Sequence, residues 1–167
     1  IQRTSEMVFD GRFGAFRNYW RIVVVSESKS KKNQRIIAKP QPKNVSINQL
    51  FEDTKKVFSG YQKIDFDYQN PDNISIFTDE NYLKTVVRNL TSNAINVFTT
   101  TQNPKITWKA WQENNVSYLS VTDNGPGASK EQFKALYDDK EVVGIKTGLG
   151  LHLIRDLAKA INRFRWI

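Results

Sequence analysis

The stretch "DNGPG", Asp123 to Gly127, follows the β-forming run "VSYLSV" after a single residue, Thr122. Asn-Gly and Pro-Gly favour a turn. Leu119, Val121 and Asp123 fall on one face at the period of two that a strand imposes. The strand therefore turns a carboxylate toward the core, a costly placement unless the group is hydrogen-bonded. An exocyclic amino group such as that of adenine is a suitable partner. Gly125 and Gly127 let a ligand approach the backbone with no Cβ in the way. A second cluster lies upstream in "NLTSNAINVF". Asn89 and Asn93 are four apart, which on a helix brings their Cβ atoms to about 5–6 Å. Asn96 continues the stripe. An amide oxygen is a hard ligand suited to Mg²⁺, and the NH₂ group donates to phosphate; a solvated polar flank is the plainer alternative. The third cluster is "GIKTGLGL", Gly144 to Leu151. Gly148 and Gly150 precede a helical stripe of Leu151, Ile154, Leu157, Ala158 and Ile161. Free N–H groups and the helix dipole favour an anion at such a start. Lys146 adds a charge there and Thr147 a hydroxyl.

The elements that must hold these residues follow from periodicity. Ile47, Leu50, Phe51, Thr54, Val57 and Phe58 predict a helix with Ser46 as N-cap and Gly60 as its stop. "KIDFDYQ" alternates and "ISIF" is a second short strand. A long helix starts at Asp79 and runs to about Phe98, with Leu83, Val86, Val87, Leu90, Ala94 and Val97 as its apolar stripe. "KITWKAW" and "VSYLSV" form a hairpin across "QENN". Trp108 shares a face with Ile106 and Ala110 and is expected in the core, with Tyr118 read the same way. After Ser129 come a short polar helix, the glycine cluster and a last helix to about Ile161. This order predicts an α+β fold: a two-layer α/β sandwich whose mixed, mostly antiparallel sheet is covered on one face by helices.

Composition narrows the chemistry. The 167 residues are 39% hydrophobic and 25% charged, the profile of a globular domain. No apolar run nears the roughly 18 residues of a membrane span. The chain has no cysteine and a single histidine, His152, so thiolate chemistry and a multi-histidine metal site are excluded. The net charge of +8 is local: residues 1–43 hold 10 Lys and Arg against 3 Asp and Glu, and the rest hold 15 against 14. Residues 1–43 are accordingly expected to be a basic segment ending in a proline-punctuated linker, and 44–167 the folded domain. No specific nucleic-acid partner is expected.

The ordered set "NLTSNAINVF", "VTDNGPG" and "KTGLGL" resembles the N, G1 and G2 boxes of the ATP-binding domain of sensor histidine kinases, within the wider class of gyrase B, mismatch-repair ATPases and the large heat-shock chaperone. "FTDENYLKTVVRNL" is similar to the acidic lead-in of the N box, and "KPQPKNVSINQLFEDTKKVF" to the kinase linker and first helix. The resemblance covers about Pro40 to Ile161 and implies the Bergerat α/β sandwich. It implies ATP and Mg²⁺ as ligands. Asp123 would bind the adenine amino group, with Gly125 and Gly127 as the first wall and hinge of a lid. Asn93 would ligate Mg²⁺ with Asn89 assisting, the pair being the catalytic positions, and Asn96 would lie along the nucleotide. Lys146, Thr147, Gly148, Leu149, Gly150 and Leu151 would surround the phosphates. Phe133 or Tyr137 would stand for the lid aromatic, with "YDDKE" as part of the lid.

The resemblance further implies a cytoplasmic kinase domain of a parent open to membrane anchoring and homodimerisation. Its partners would be a histidine-bearing dimerisation domain, of which residues 1–43 are a candidate remnant, and a response regulator. Three departures stand against the pattern. Asn96 replaces a basic residue. A single strand at most, "INRFRWI", follows the last helix where the family has a hairpin, although "IQRTSEMVFDGRF" faintly echoes that hairpin. No phosphoacceptor helix is visible, and His152 reads as a helix-surface histidine. The alternatives are a stand-alone ATPase or switch of the gyrase or chaperone type, and a non-catalytic nucleotide- or nucleic-acid-binding module. The ATPase needs a general base one turn before the Mg²⁺ asparagine, and the amide of Asn89 cannot accept a proton.

Overall fold

A computed structural model of the chain describes residues 18–24, 39–114, 116–127, 150–160 and 164–166. In chain order the elements are β1 (Asn18–Val24), β2 (Pro42–Ser46), α1 (Ile47–Val57), β3 (Asp65–Gln69), β4 (Ser75–Asp79), α2 (Glu80–Asn96), β5 (Lys105–Glu113), β6 (Val116–Asp123), α3 (Leu151–Ala160) and β7 (Phe164–Trp166). A five-stranded sheet has the order β3-β5-β6-β1-β7, and β2 and β4 form a separate antiparallel pair. The β3–β5 pair is parallel and the other three pairs of the large sheet are antiparallel. The expected α+β sandwich with a mixed, mostly antiparallel sheet is the fold observed.

Alternation decides which side of the sheet is covered. Ile106, Trp108 and Ala110 of β5 and Leu119 and Val121 of β6 are buried completely, and they share one core with Leu50 and Phe51 of α1, Leu83, Val86, Val87 and Leu90 of α2, and Leu151 and Ile154 of α3. The intervening Lys105 and Lys109 are exposed. Trp108 is thus a core residue, as expected. Tyr118 is half-buried: it packs against the core cluster from its margin and stacks on Trp111 with centroids 5.1 Å apart. The same period of two that buries Leu119 keeps its neighbour from full burial.

Local chemistry sets the helix starts. Ser46 Oγ accepts the Gln49 N–H at 3.4 Å and caps α1. The helix ends earlier than Gly60: Phe58 is the C-cap, its N–H shared between the Lys56 and Thr54 carbonyls. Asp79 caps α2, one carboxylate oxygen accepting the Tyr82 N–H at 3.1 Å while the other accepts the Gln41 N–H at 2.7 Å. Lys84 of α2 reaches Asp53 of α1 at 2.8 Å and Glu80 at 2.7 Å. Hydrogen bonds to Asp53 and then Glu80 raise the Lys84 ammonium, and the Lys84 hydrogen bond lowers Asp53 in return. All three side chains touch solvent, so the bridge orients the helices more than it stabilises them.

Two strands involve the segment expected as a linker. β1 lies inside residues 1–43 and pairs with β6 from Asn18↔Asp123 to Val24↔Ser117. β2 crosses the expected boundary at residues 43 and 44 and pairs with β4. Pro42 is its first residue, a position where a strand tolerates the missing N–H. β7 pairs with β1 rather than with a following strand. The echo in residues 1–13 lies outside the described residues. "QENN" contributes less loop than expected, because β5 runs on to Glu113 and Asn114 turns the chain at φ 50°.

At the sheet edge Tyr68 of β3 packs on Phe51 and Phe66, and its covered hydroxyl has no hydrogen-bond partner among the described residues. Burial, with the charge of Glu52 second, pushes that hydroxyl up to about 12. The unfolded chain, with tyrosine near its ordinary value of about 10, loses this proton first, so stability falls as pH rises above about 10. Tyr68→Phe is expected to remove that alkaline loss and, by deleting an unpaired buried hydroxyl, to add about 1 kcal/mol of stability at neutral pH. Urea unfolding at pH 8 and pH 11 measures both; a less stable phenylalanine variant would contradict the burial account.

Candidate functional site

Asp123 ends β6 on the inner face, 3% exposed, opposite Ile106 of β5 and Asn18 of β1. Its Oδ1 accepts the Gly125 N–H at 2.9 Å, so the turn itself fixes the carboxylate. Asn124 ties the turn to the sheet: its Oδ1 accepts the Lys105 N–H at 2.7 Å and its amide donates to the Asn103 carbonyl at 3.0 Å. A Cβ at Gly125 would stand 2.8 Å from Asp123 Oδ1, 3.0 Å from Val97 Cγ2 and 3.4 Å from Phe98 Cε1. The glycine is there for space. Gly127 has φ 85°, a conformation that disfavours any other residue. The C-terminal end of α2 therefore closes directly on the Asp123 turn.

Asn89 and Asn93 are both half-buried on α2, one turn apart, and Asn96 at its last position is exposed. The Asn89 amide donates to the Thr85 carbonyl at 2.8 Å. Its Oδ1 lies 2.7 Å from where a Cβ on Gly150 would sit, and Gly150 has φ 61°. Gly150 is thus required twice over, by its backbone and by the asparagine against it. Leu151 opens α3 fully buried, and the Ile154 N–H closes the first turn on the Gly150 carbonyl at 3.1 Å. Lys146, Thr147, Gly148 and Leu149 lie outside the described residues, as do Phe133, Tyr137 and "YDDKE". His152 is only partly the surface residue expected: it is half-buried, and its covered Nδ1 makes no hydrogen bond among the described residues.

The two turns meet α2 at separate places, Gly150 at Asn89 and Gly125 at Val97 and Phe98. Eight residues of helix separate those points, about 12 Å. Among the described residues no cluster of three or more His, Asp or Glu side chains is placed to hold a metal ion. A divalent ion at Asn93 would therefore take an amide and the oxygens of a bound anion. A lone neutral amide fits Mg²⁺, which keeps several waters and is usually completed by phosphate.

Thr91 and Arg155 are among the buried polar groups that escaped the sequence reading. Thr91, 0% exposed, receives the Trp108 indole N–H at 3.0 Å and donates to the Val87 carbonyl at 2.8 Å. The signal available was a threonine inside the apolar stripe of α2. Arg155, 8% exposed on α3, contacts Asp156 at 3.2 Å; it stands beside Ile154 where an apolar stripe drew the eye.

Residues 78–167 match the family model of the histidine kinase-, DNA gyrase B- and HSP90-like ATPases. Several solved structures share the fold. The catalytic domain of the histidine kinase ThkA, in a nucleotide-free form, superposes with a TM-score of 0.59 at 24% identity over 71% of this chain and 80% of that one. The mycobacterial sensor histidine kinase MprB gives 0.56 at 19% identity, covering 74% and 84%. The Acinetobacter baumannii histidine kinase AdeS gives 0.55 at 21%, covering 72% of this chain and 56% of that one. No curated protein sequence matches the chain.

Gly150→Ala is expected to lose about 1–2 kcal/mol from its left-handed backbone alone, and more from the contact with Asn89. In an Asn89→Ala background only the backbone part should remain. A double-mutant cycle by denaturant unfolding measures the difference, and strictly additive losses would refute the contact.

Proposed function

The chain belongs to the histidine kinase-, DNA gyrase B- and HSP90-like ATPase family, and from that premise we propose that it is the ATP-binding catalytic domain of a two-component sensor histidine kinase. The observation that carries this reading is the buried carboxylate of Asp123 beside a glycine that leaves no room for a Cβ. A carboxylate there accepts a hydrogen bond from the adenine amino group, and guanine, with a carbonyl at that position, is rejected by repulsion. Gly125 and Gly127 admit the base. The 12 Å or so of helix from Val97 back to Asn89 is long enough for sugar and phosphates to run along α2. Gly148 and Gly150, with Lys146, Thr147 and the amides of Leu149 and Leu151, then receive the phosphates at the start of α3. Asn93, with Asn89 behind it, holds Mg²⁺ against them, and Asn96 stands at the margin. When bound, Mg²⁺ neutralises charge on the phosphate oxygens.

The chain's own residues supply position and dipoles; they hold no nucleophile. An imidazole nitrogen from a dimerisation domain attacks the γ-phosphorus in line, a P–N bond forms, the bond to the bridging oxygen breaks, and ADP leaves. Hydrolysis is disfavoured because Asn89 occupies the place of a general base, and its amide is engaged with Thr85. In this reading residues 44–167 are the nucleotide-binding domain with β1 joined to its sheet. A response regulator would take the phosphoryl group onward. The parent would be a homodimer with this domain on the cytoplasmic side. No described helix is long and apolar enough to cross a membrane.

Titration with a fluorescent adenine nucleotide in the presence of Mg²⁺ tests the site. Asp123→Asn keeps the side-chain shape and is expected to weaken adenine nucleotide binding roughly 10- to 100-fold, the scale of a lost hydrogen bond to a charged group, and to narrow the preference over guanine. Unchanged affinity in a folded Asp123→Asn protein would defeat the assignment.

A further inference from the structure

We propose that Thr91 is a positioning residue, one whose hydrogen bond with Trp108 fixes the rotation of α2 and so aims Asn89 and Asn93 at the metal and phosphates. The proposal rests on the nucleotide reading above and adds a device to it. At 100° per residue, Asn89 and Asn93 lie at about 160° on either side of Thr91. The direction midway between the two amides is therefore opposite Thr91. Anchoring Thr91 to the sheet points the amide pair away from it.

The apolar contacts of α2 do not fix this angle by themselves. The buried arc is made of Leu83, Val86, Val87, Leu90 and Ala94, with Thr91 at one margin and Asn93 just past the other, next to Val86. Aliphatic side chains packing ridge into groove tolerate about 15–20° of scatter. An amide roughly 6 Å from the helix axis moves about 2 Å over a 20° turn. A misplacement of that order is enough to lose a ligand contact. A hydrogen bond has the direction that aliphatic packing lacks. Here both partners are fully buried, the indole N–H meets Thr91 Oγ1 at 3.0 Å, and the hydroxyl proton is already committed to the Val87 carbonyl at 2.8 Å. With its proton committed, the hydroxyl offers Trp108 only its two remaining lone-pair directions. Trp108 is itself held in the sheet by pairing with Val121 of β6, two residues before Asp123. The strand that carries the base-recognising carboxylate and the helix that carries the amides are thereby set to one common frame.

The test compares nucleotide affinity with and without Mg²⁺. Thr91→Val is nearly isosteric and deletes the hydroxyl. The deleted hydroxyl is both the acceptor for the indole N–H and the donor to the Val87 carbonyl; the variant is expected to lose about 10-fold in the Mg²⁺-dependent part of the affinity while Mg²⁺-free binding, carried by the Asp123 end, changes by less than about 2-fold. Thr91→Ser keeps the hydroxyl and should restore both. The double variant Thr91→Val/Trp108→Phe leaves no indole N–H unpaired and carries the same comparison if the single variant does not fold. Equal losses with and without Mg²⁺, or none, would overturn the proposal. A second readout needs no nucleotide: the side-chain amide NMR resonances of Asn89 and Asn93 should shift in Thr91→Val and return in Thr91→Ser. Resonances that stay in place would overturn the positioning role even if the protein binds nucleotide. A wild-type protein that binds no adenine nucleotide, with the resonances moving as expected, would instead refute the nucleotide reading and leave the helix anchor standing.

Discussion

A carboxylate on the inner side of a sheet is the constraint around which the described structure is arranged. Asp123 takes the place where Leu119 and Val121 predict another apolar side chain, and one of its oxygens is held by the Gly125 N–H only two residues on. That short bond requires a tight turn, and the tight turn requires the absence of a Cβ. The end of α2 can then close against it through Val97 and Phe98. A buried charged group of this kind costs several kcal/mol unless it is well partnered. Its presence at a strand end, beside a glycine, is what supports reading this turn as a binding turn in the proposed function.

α2 is the beam between this turn and the start of α3. Asp79 secures its first turn and at the same time the backbone of Gln41, so the chain entering the domain is tied to the helix that bears the asparagines. Lys84 links it to α1. Thr91 links it to β5 and Asn89 leans on Gly150. The ties are a cap, an ion pair, a buried hydrogen bond and a close contact, spread along the helix from its first turn to Thr91. The result is a helix held to its neighbours at several points, with its asparagines on the side opposite Thr91, the side that the proposed phosphate site would use.

Much of this was legible in the sequence. Period two placed Ile106, Trp108, Ala110, Leu119 and Val121 on one face, and the helical period gave the buried stripe of α2. Caps at Ser46 and Asp79 were readable because their chemistry is local. What was not legible depends on distant partners. Nothing in "NYWRIVV" states that it pairs with β6, and the strand in "PKNVS" is hidden by the proline and lysine that make it resemble a linker. Tyr118 packs against the core but only half-buried, because alternation gives the full burial to its neighbour Leu119. Thr91 was passed over because a hydroxyl in an apolar stripe only acquires meaning once a tryptophan on a facing strand supplies the donor.

The place of β1 has a consequence for biosynthesis. The segment that fills the slot between β6 and β7 leaves the ribosome before either neighbour has been made. At about 5–20 residues per second, roughly a hundred residues of translation separate it from β6, so it waits on the order of 10 s with its ladder unmet. During that interval it presents an unpaired edge, the kind of surface that recruits other chains. Closure of so long a loop also makes this pairing a late step in folding. The Asp123 turn, registered against Asn18, becomes complete only then, so competence for a ligand should arise after most of the core has already formed.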